Sequence, residues 1–431
     1  MTGPDVPARS SIARRLASAG LPPLPRMAWL ELDLDALTAN LAAVRTMVGA
    51  GTAVHPVVKA DAYGHGALPI ARALEAAGAD GFCVAALDEA LALRDGGILA
   101  PIRVLYPIPP ELARLAATAR VGVSAGDEVL LRDLLAVALT ARPGDVADHP
   151  PGDRLDLAVE LEVETGLGRG GFLPRDLLDA ARQVSAAPGV RLAGLWTHLQ
   201  ATEDARRTAD QLRRFEAACG GLAAAGIQSP ARHVAASGGL LTGVPTFDGV
   251  RPGLTVYGLL PDELEGSGDV GDAGVALPAD AFRPVMSLHA QPVRVLDLPT
   301  GHGISYGPTF VTGRPSRIAT LPLGYGDGFS RSLSNRAEAL VRGCRVPIVG
   351  NVAMDAVMVD VTDVPGPPVI VNDEFVLLGR QGDEWIRADD LARQRGTNRW
   401  EVVTQMAARL PRVYHAASAA VDLRTLAERR G

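Results

Sequence analysis

Along the first two-thirds of the chain, short apolar runs alternate with segments whose apolar residues recur every three or four positions. Runs at 54–60, 81–85, 102–106, 121–124, 155–163, 192–197, 233–235 and 250–251 read as strands. Between them, 68–77, 88–94, 110–119, 127–138, 174–187 and 205–225 read as helices; the last carries Leu212, Phe215, Ala218 and Leu222 on one face. Such alternation predicts a parallel sheet, and eight units predict closure into a TIM-like (β/α)8 barrel. Upstream, Trp29 to Leu34 alternates as a strand does. Asp35 then caps a helix whose apolar face is Leu37, Leu41, Val44 and Val48.

The pattern stops in a glycine-rich stretch at 261–278. Beyond it, β-type runs at 285–290, 293–296, 316–321, 339–341, 346–349, 356–361 and 374–378 are separated by Gly and Pro turns, followed by a helix at 388–395 and a mixed segment at 401–413. The expected organisation is therefore a flexible extension over 1–28, a barrel over 29–275 and a mainly β domain over 276–431. The strand at the barrel's start is open to pairing with the β domain. A polar, Pro-rich loop is expected at 142–153. The extension holds Arg9, Arg14, Arg15 and Arg26 without a continuous apolar run, which argues against a secretory signal. Pro22, Pro23 and Pro25 break any helix there, and Met27 is an alternative start.

Composition narrows the class. A chain of 431 residues with 47% apolar and 21% charged residues has ample core for two domains. Its net charge of -7 gives no reason to expect nucleic acid or an anionic membrane as partner. No apolar run approaches a membrane span. Cys83, Cys219 and Cys344 are dispersed, which argues against a disulfide framework or a metal site and suits the cytoplasm.

In a barrel of this kind, chemistry sits just after the strands. Lys59 and Tyr63 follow the first, Arg169 the fifth, His198 the sixth, Ser237 the seventh and Arg251-Pro252-Gly253 the eighth. Singly, each has a plain alternative: a surface lysine, an ion-paired arginine, a satisfied core histidine, a glycine turn. As a set they are more specific. A lysine that can form an imine, opposite a phosphate site on the late strands at Ser237 and Gly253, is what pyridoxal 5'-phosphate requires.

The chain also resembles the alanine racemases. The motif VVKADAYGHG around Lys59 is similar to their cofactor-lysine motif. ETGLGRGG, LWTHL, VRPGLTVYGL, GISYG, GYGDG, VGNVAMD and NRWEV with RLPRVY continue the resemblance, in order, from about Trp29 to Tyr414. The resemblance implies that Lys59 carries the cofactor and serves as one of two bases. Tyr306, from the second subunit of a homodimer with shared active sites, would be the other. Two bases on opposite faces are what inversion at the α-carbon of a small amino acid needs. By the same resemblance, Arg251 meets the pyridine nitrogen and His198 connects it to the tyrosine. Tyr63, Ser237 and the backbones of Gly253 and Leu254 contact the phosphate. Arg169 and the N–H of Met354 hold the substrate carboxylate, and Tyr325 lines the entrance. The implied product is D-alanine for peptidoglycan.

Four positions depart from the family pattern. Glu162 stands where a carbamylated lysine is frequent, Trp400 where a phosphate-contacting tyrosine is frequent, Ala236 in place of an asparagine and Ala353 in place of a cysteine. Glu160, Glu162 and Glu164 share a strand face and need arginine or solvent partners, unless some lie at a frayed strand end. These departures keep open a racemase of broader or different specificity, such as serine. A decarboxylase of the same fold type is less compatible with Arg251, and a cofactor-binding protein with little catalysis is less compatible with the second domain and Tyr306.

Overall fold

The structure is a computed structural model that describes residues 11–139, 156–227, 231–264 and 281–427. The loop expected at 142–153 lies outside the described residues, as does most of the expected break at 261–278. Two compact units result: Thr38–Ala62 with Ala67–Phe282, and Met1–Leu37 with Tyr63–Gly66 and Arg283–Gly431.

The first unit is the expected parallel barrel. Its strands are Ala53–Val54, Phe82–Val84, Ile102–Val104, Val121–Ala125, Leu157–Glu162, Val190–Trp196, Ala231–Ala236 and Gly249–Arg251. Each pairs in parallel with its sequence neighbour, except that the first pairs with the last. A parallel bridge between Val57 and Cys83 joins the first strand to the second and closes the ring. Covered on both faces, these strands read as continuous apolar runs, with Val121, Val123, Leu157, Val159 and Leu161 all buried. Helices such as Ala67–Ala76, Leu87–Asp95 and Ala205–Ala224 connect them.

The second unit is mainly β. One sheet orders Cys344–Pro347, Glu338–Val341, Phe375–Gln381, Met286–Ala290, Ala28–Asp33, Arg412–Ala416 and Ala419–Arg424, with Glu384–Ile386 added beside Phe375–Gln381. A three-stranded sheet of Arg294–Leu298, Ser316–Leu321 and Val357–Asp360 carries the hairpin-bearing region, where Gly303–Ile304 pairs with Phe310–Val311. Ala28–Asp33 is thus a strand of the β unit, antiparallel to Met286–Ala290 and parallel to Arg412–Ala416.

Residues 11–28, expected to be flexible, are instead packed. Ile12–Ser18 is a helix whose Ile12 and Leu16 are buried against Trp29, Val413 and Ala420. Arg15 donates from both terminal nitrogens to Glu31, at 2.6 and 3.0 Å, and both side chains are nearly inaccessible. The i, i+4 pair of apolar residues supplies the buried face, and left-handed Gly20 ends the helix, with the Leu21 N–H returning to the Leu16 carbonyl, before the prolines are reached.

Candidate active site

The expected strand at 54–60 ends early because the chain turns sharply at Lys59. Ala60, Asp61, Ala62 and Tyr63 all have left-handed φ, between 52 and 55°. Left-handed backbone costs an L-residue about 1–2 kcal/mol, so four in succession must be held from outside. The Ala60 N–H donates to Glu89 Oε1 at 2.6 Å, the Ala62 N–H to the Val58 carbonyl at 2.9 Å, and Asp61 Oδ1 accepts the Ala67 N–H at 2.8 Å. Within the β unit, Arg412 Nε donates to the Gly64 carbonyl at 2.9 Å and the Tyr414 hydroxyl to the His65 carbonyl at 3.0 Å. Gly64, at φ 79°, has no room for a Cβ, which would sit 2.3 Å from the Val403 carbonyl oxygen. Tyr63 is buried at the end of the turn.

Burial, and then the Arg169 charge, hold the Lys59 amine below its ordinary basicity; Glu89 opposes them. His198 is pushed down to about 3 by burial and by Arg251, Arg169 and Lys59, so it is neutral at pH 7. Lys59, Arg169, His198 and Arg251, with Glu89 opposing, therefore act on one another electrostatically in the barrel unit.

Arg251, at the end of the last barrel strand, is buried. Its Nη2 donates to the carbonyls of Thr197 (2.9 Å) and Val234 (3.3 Å), and its Nη1 to the His233 carbonyl (2.8 Å) and to His233 Nδ1. A guanidinium only donates, so His233 Nδ1 is the acceptor and the ring proton sits on Nε2. That nitrogen faces Glu160 Oε2 at 3.0 Å, and Arg103 Nε lies 2.6 Å from Glu160 Oε1. Residues from alternate strands thus meet in one interior layer. The histidine bonded to Arg251 is His233, which a motif reading centred on strand ends misses; its only signal is a polar residue inside the strand Ala231–Ala236, beside Arg232. Arg251 Nε has no partner among the described residues and remains available as a donor.

The three glutamates have different fates. Glu160 is buried and ion-paired. Burial opposes its ionisation, but the facing His233 and Arg103 outweigh it and hold the carboxyl low. Glu162 is buried at the strand's end, close to where Cβ atoms would stand on Gly126 and Gly170. Burial raises its carboxyl, with Arg169 and Arg251 opposing. Glu164 lies beyond the strand and accepts the N–H groups of Gly166 and Gly168, shaping the loop that carries Arg169. Arg169 itself is exposed, and its guanidinium lies 5.5 Å from the Tyr106 ring centre.

Ser237 Oγ accepts the N–H groups of Gly253 (2.9 Å) and Thr255 (3.3 Å) and lies 3.2 Å from Thr255 Oγ1. With both lone pairs accepting N–H groups, the hydroxyl proton points to Thr255 Oγ1, and an anion would draw it from that long contact into a charge-assisted one. The Gly253 N–H is thereby spent, whereas the Leu254 N–H has no partner among the described residues. An amine of lowered basicity, an unspent buried guanidinium donor and this hydroxyl fit the imine carbon, ring nitrogen and phosphate of pyridoxal phosphate.

The β unit holds the remaining expected residues. Tyr306 is 79% exposed, and its carbonyl accepts Asn351 Nδ2 at 2.8 Å. Tyr325 and Met354 are also exposed and are tied together by backbone bonds from Tyr325 to Ala353 and from Gly326 to Met354. The Met354 N–H has no partner among the described residues. Buried Asp327 fixes this turn, accepting from Gly324 N–H, Arg409 and Arg26. Trp400 lies half-buried on the short helix Arg399–Thr404.

Comparison with known proteins places these features in a family. Residues 32–261 match the alanine racemase N-terminal domain, and residues 285–414 match the C-terminal domain. The alanine racemase of Symbiobacterium thermophilum is 40% identical over 394 residues, covering 90% of this chain and 97% of that one. The crystal structure of the Bacillus anthracis alanine racemase with bound L-Ala-P superposes with a TM-score of 0.82 at 31% identity, covering 93% of this chain and 98% of that one. The histidine racemase of Leuconostoc mesenteroides is also similar, with a TM-score of 0.76 at 29% identity, covering 91% and 99%.

Proposed function

This chain belongs to the alanine racemase family and is a racemase, and from that premise we propose that it interconverts L- and D-alanine with pyridoxal 5'-phosphate held on Lys59. The observation that carries this reading is that Lys59, Arg169, His198 and Arg251 all stand at or just after the C-terminal ends of barrel strands in a chain whose two domains match the family, with burial holding the Lys59 amine below its ordinary basicity. When bound, the cofactor would serve as the sink for the electron pair left at the α-carbon.

The protein's own part is proton handling and orientation. Lys59 removes or returns the α-proton on one face. Tyr306 of the partner subunit does so on the other, so each turnover loses one proton, gains one and changes only handedness. A phenol has a pKa of about 10, so it needs a neighbour to exchange protons near neutrality. Neutral His198 is that neighbour and would offer the phenol a lone pair rather than a second positive charge. Arg251 Nε donates to the ring nitrogen without giving up a proton. The Ser237 hydroxyl, the Leu254 N–H and Tyr63 would hold the phosphate, with Gly253 acting only through the N–H it gives to Ser237 Oγ, and Trp400 would border it. Arg169 and the N–H of Met354 of the partner subunit grip the substrate carboxylate, with Tyr325 at the entrance. The exposure of Tyr306, Tyr325 and Met354 supports a face that a second copy covers. Among the described residues no helix is long and apolar enough to cross a membrane. We place the reaction in the cytoplasm, where it would supply D-alanine to peptidoglycan.

The test is to incubate the cofactor-loaded protein with L-alanine in heavy water and follow deuterium and chirality at the α-carbon. Deuterated D-alanine is expected from the native protein and none from Lys59→Ala. Failure of the native protein to invert alanine would overturn the proposal. Glu162 and Trp400, together with the similarity to a histidine racemase, favour a broader substrate range as a second reading. The same experiment on a panel of amino acids separates the two.

A further inference from the structure

Glu89 belongs to no motif that the proposed reaction uses, yet its carboxylate converges on the site from the second barrel unit's helix, Leu87–Asp95. One oxygen, Oε2, accepts the N–H groups of Ala85 and Ala86, at 2.7 and 3.1 Å, which starts that helix. A capping role needs no more. The other oxygen, Oε1, crosses 29 residues of sequence to accept the Ala60 N–H at 2.6 Å. Ala60 is the peptide immediately after Lys59 and the first residue of the left-handed turn.

We propose that Glu89 is a positioning residue for Lys59: one carboxylate oxygen clamps the Ala60 peptide, so the strained turn holds the lysine nitrogen in place. Ala, Asp and Ala have no intrinsic preference for left-handed backbone, and the turn's other fastenings, at Ala62 and Asp61, lie further from the lysine. A charged acceptor makes a stronger bond to an N–H than a neutral one does. Its second effect is electrostatic. Burial, Arg169 and Arg251 all disfavour a proton on the Lys59 nitrogen, and Glu89 counters them. The carboxylate therefore sets both where that nitrogen sits and how readily it holds a proton. This inference rests on the reading of Lys59 as the cofactor lysine.

The test compares cofactor-loaded native protein with Glu89→Gln, which is isosteric and uncharged. Two properties are read: the pH midpoint of the visible absorbance of the lysine-bound cofactor, and amide hydrogen exchange at residues 60–62. Glu89→Gln is expected to lower the midpoint by about half a unit or more, to speed exchange at 60–62 at least tenfold and to reduce kcat more than it raises KM. A simple helix cap would loosen 87–95 and leave the midpoint where it was. An unchanged midpoint with unchanged exchange at 60–62 overturns the proposal. If Glu89→Gln does not fold, Glu89→Asp keeps the charge and the cap but draws back from Ala60. Unchanged exchange at 60–62 in that variant overturns the proposal equally. A native protein that shows no such absorbance, or a Lys59→Ala variant that keeps it, would instead defeat the assignment of Lys59.

Discussion

Three histidines are buried in the barrel unit with depressed basicity: His55 and His198 to about 3, and His233 to about 4, with burial the largest cause in each. In the unfolded chain they titrate near 6.5. Below that pH the unfolded state binds protons that the folded state refuses, so stability falls with pH from about 6.5 to about 4. Three such groups give a slope of up to roughly 4 kcal/mol per pH unit. Glu160 acts in the same direction at lower pH: its stabilising contribution is complete above the unfolded carboxylate range and is lost as the folded carboxyl protonates. Urea midpoints at pH 7.5 and pH 5 are expected to differ sharply, and equal midpoints would contradict this burial. The residues assigned to the proposed site were legible where they followed a strand, as Lys59, Arg169, His198 and Arg251 do. His233 and Glu89 were not, because their roles depend on partners in other strands and turns. For Glu89 the sole local signal was an acid at the third position of a helix.

At the scale of elements, hydrophobic period carried most of the reading. Seven of the eight barrel strands and the helix Ala388–Arg395 fall where the pattern placed them, because their burial is two-sided or amphipathic, while the first strand is cut to Ala53–Val54. The left-handed turn escaped because Ala60-Asp61-Ala62-Tyr63 contains none of the glycine that usually announces such backbone. Glu384–Ile386 escaped because three residues are too few to show a period, and Ala419–Arg424, the last strand of its sheet, because its alternation spans only Val421 to Arg424. The helix Ile12–Ser18 escaped because seven residues give only two buried positions. Its value lies in Arg15, which neutralises Glu31 inside the β unit. Arg15→Ala removes the bidentate guanidinium from a buried carboxylate that keeps Trp29 Nε1 and His415 as neighbours. A loss of about 3 kcal/mol is expected, read as a fall of several degrees in thermal midpoint. A midpoint within one degree of native, to order of magnitude, would mean that the segment is dispensable.

For the whole molecule, the two matched domains and their order identify the family, while the catalytic arrangement proposed above calls for a second copy of the chain. The barrel unit supplies Lys59, Arg169, His198 and Arg251, and the β unit supplies Tyr306 and Met354. If the bases come from different subunits, Lys59→Ala and Tyr306→Phe each inactivate both sites of their own dimer. A mixed dimer, however, regains one intact site and carries both substitutions in the other. Random pairing makes half of the dimers mixed, so co-expression of the two variants is expected to restore roughly a quarter of native alanine racemisation. Two inactive parents whose co-expressed mixture remains inactive would contradict the shared two-base site.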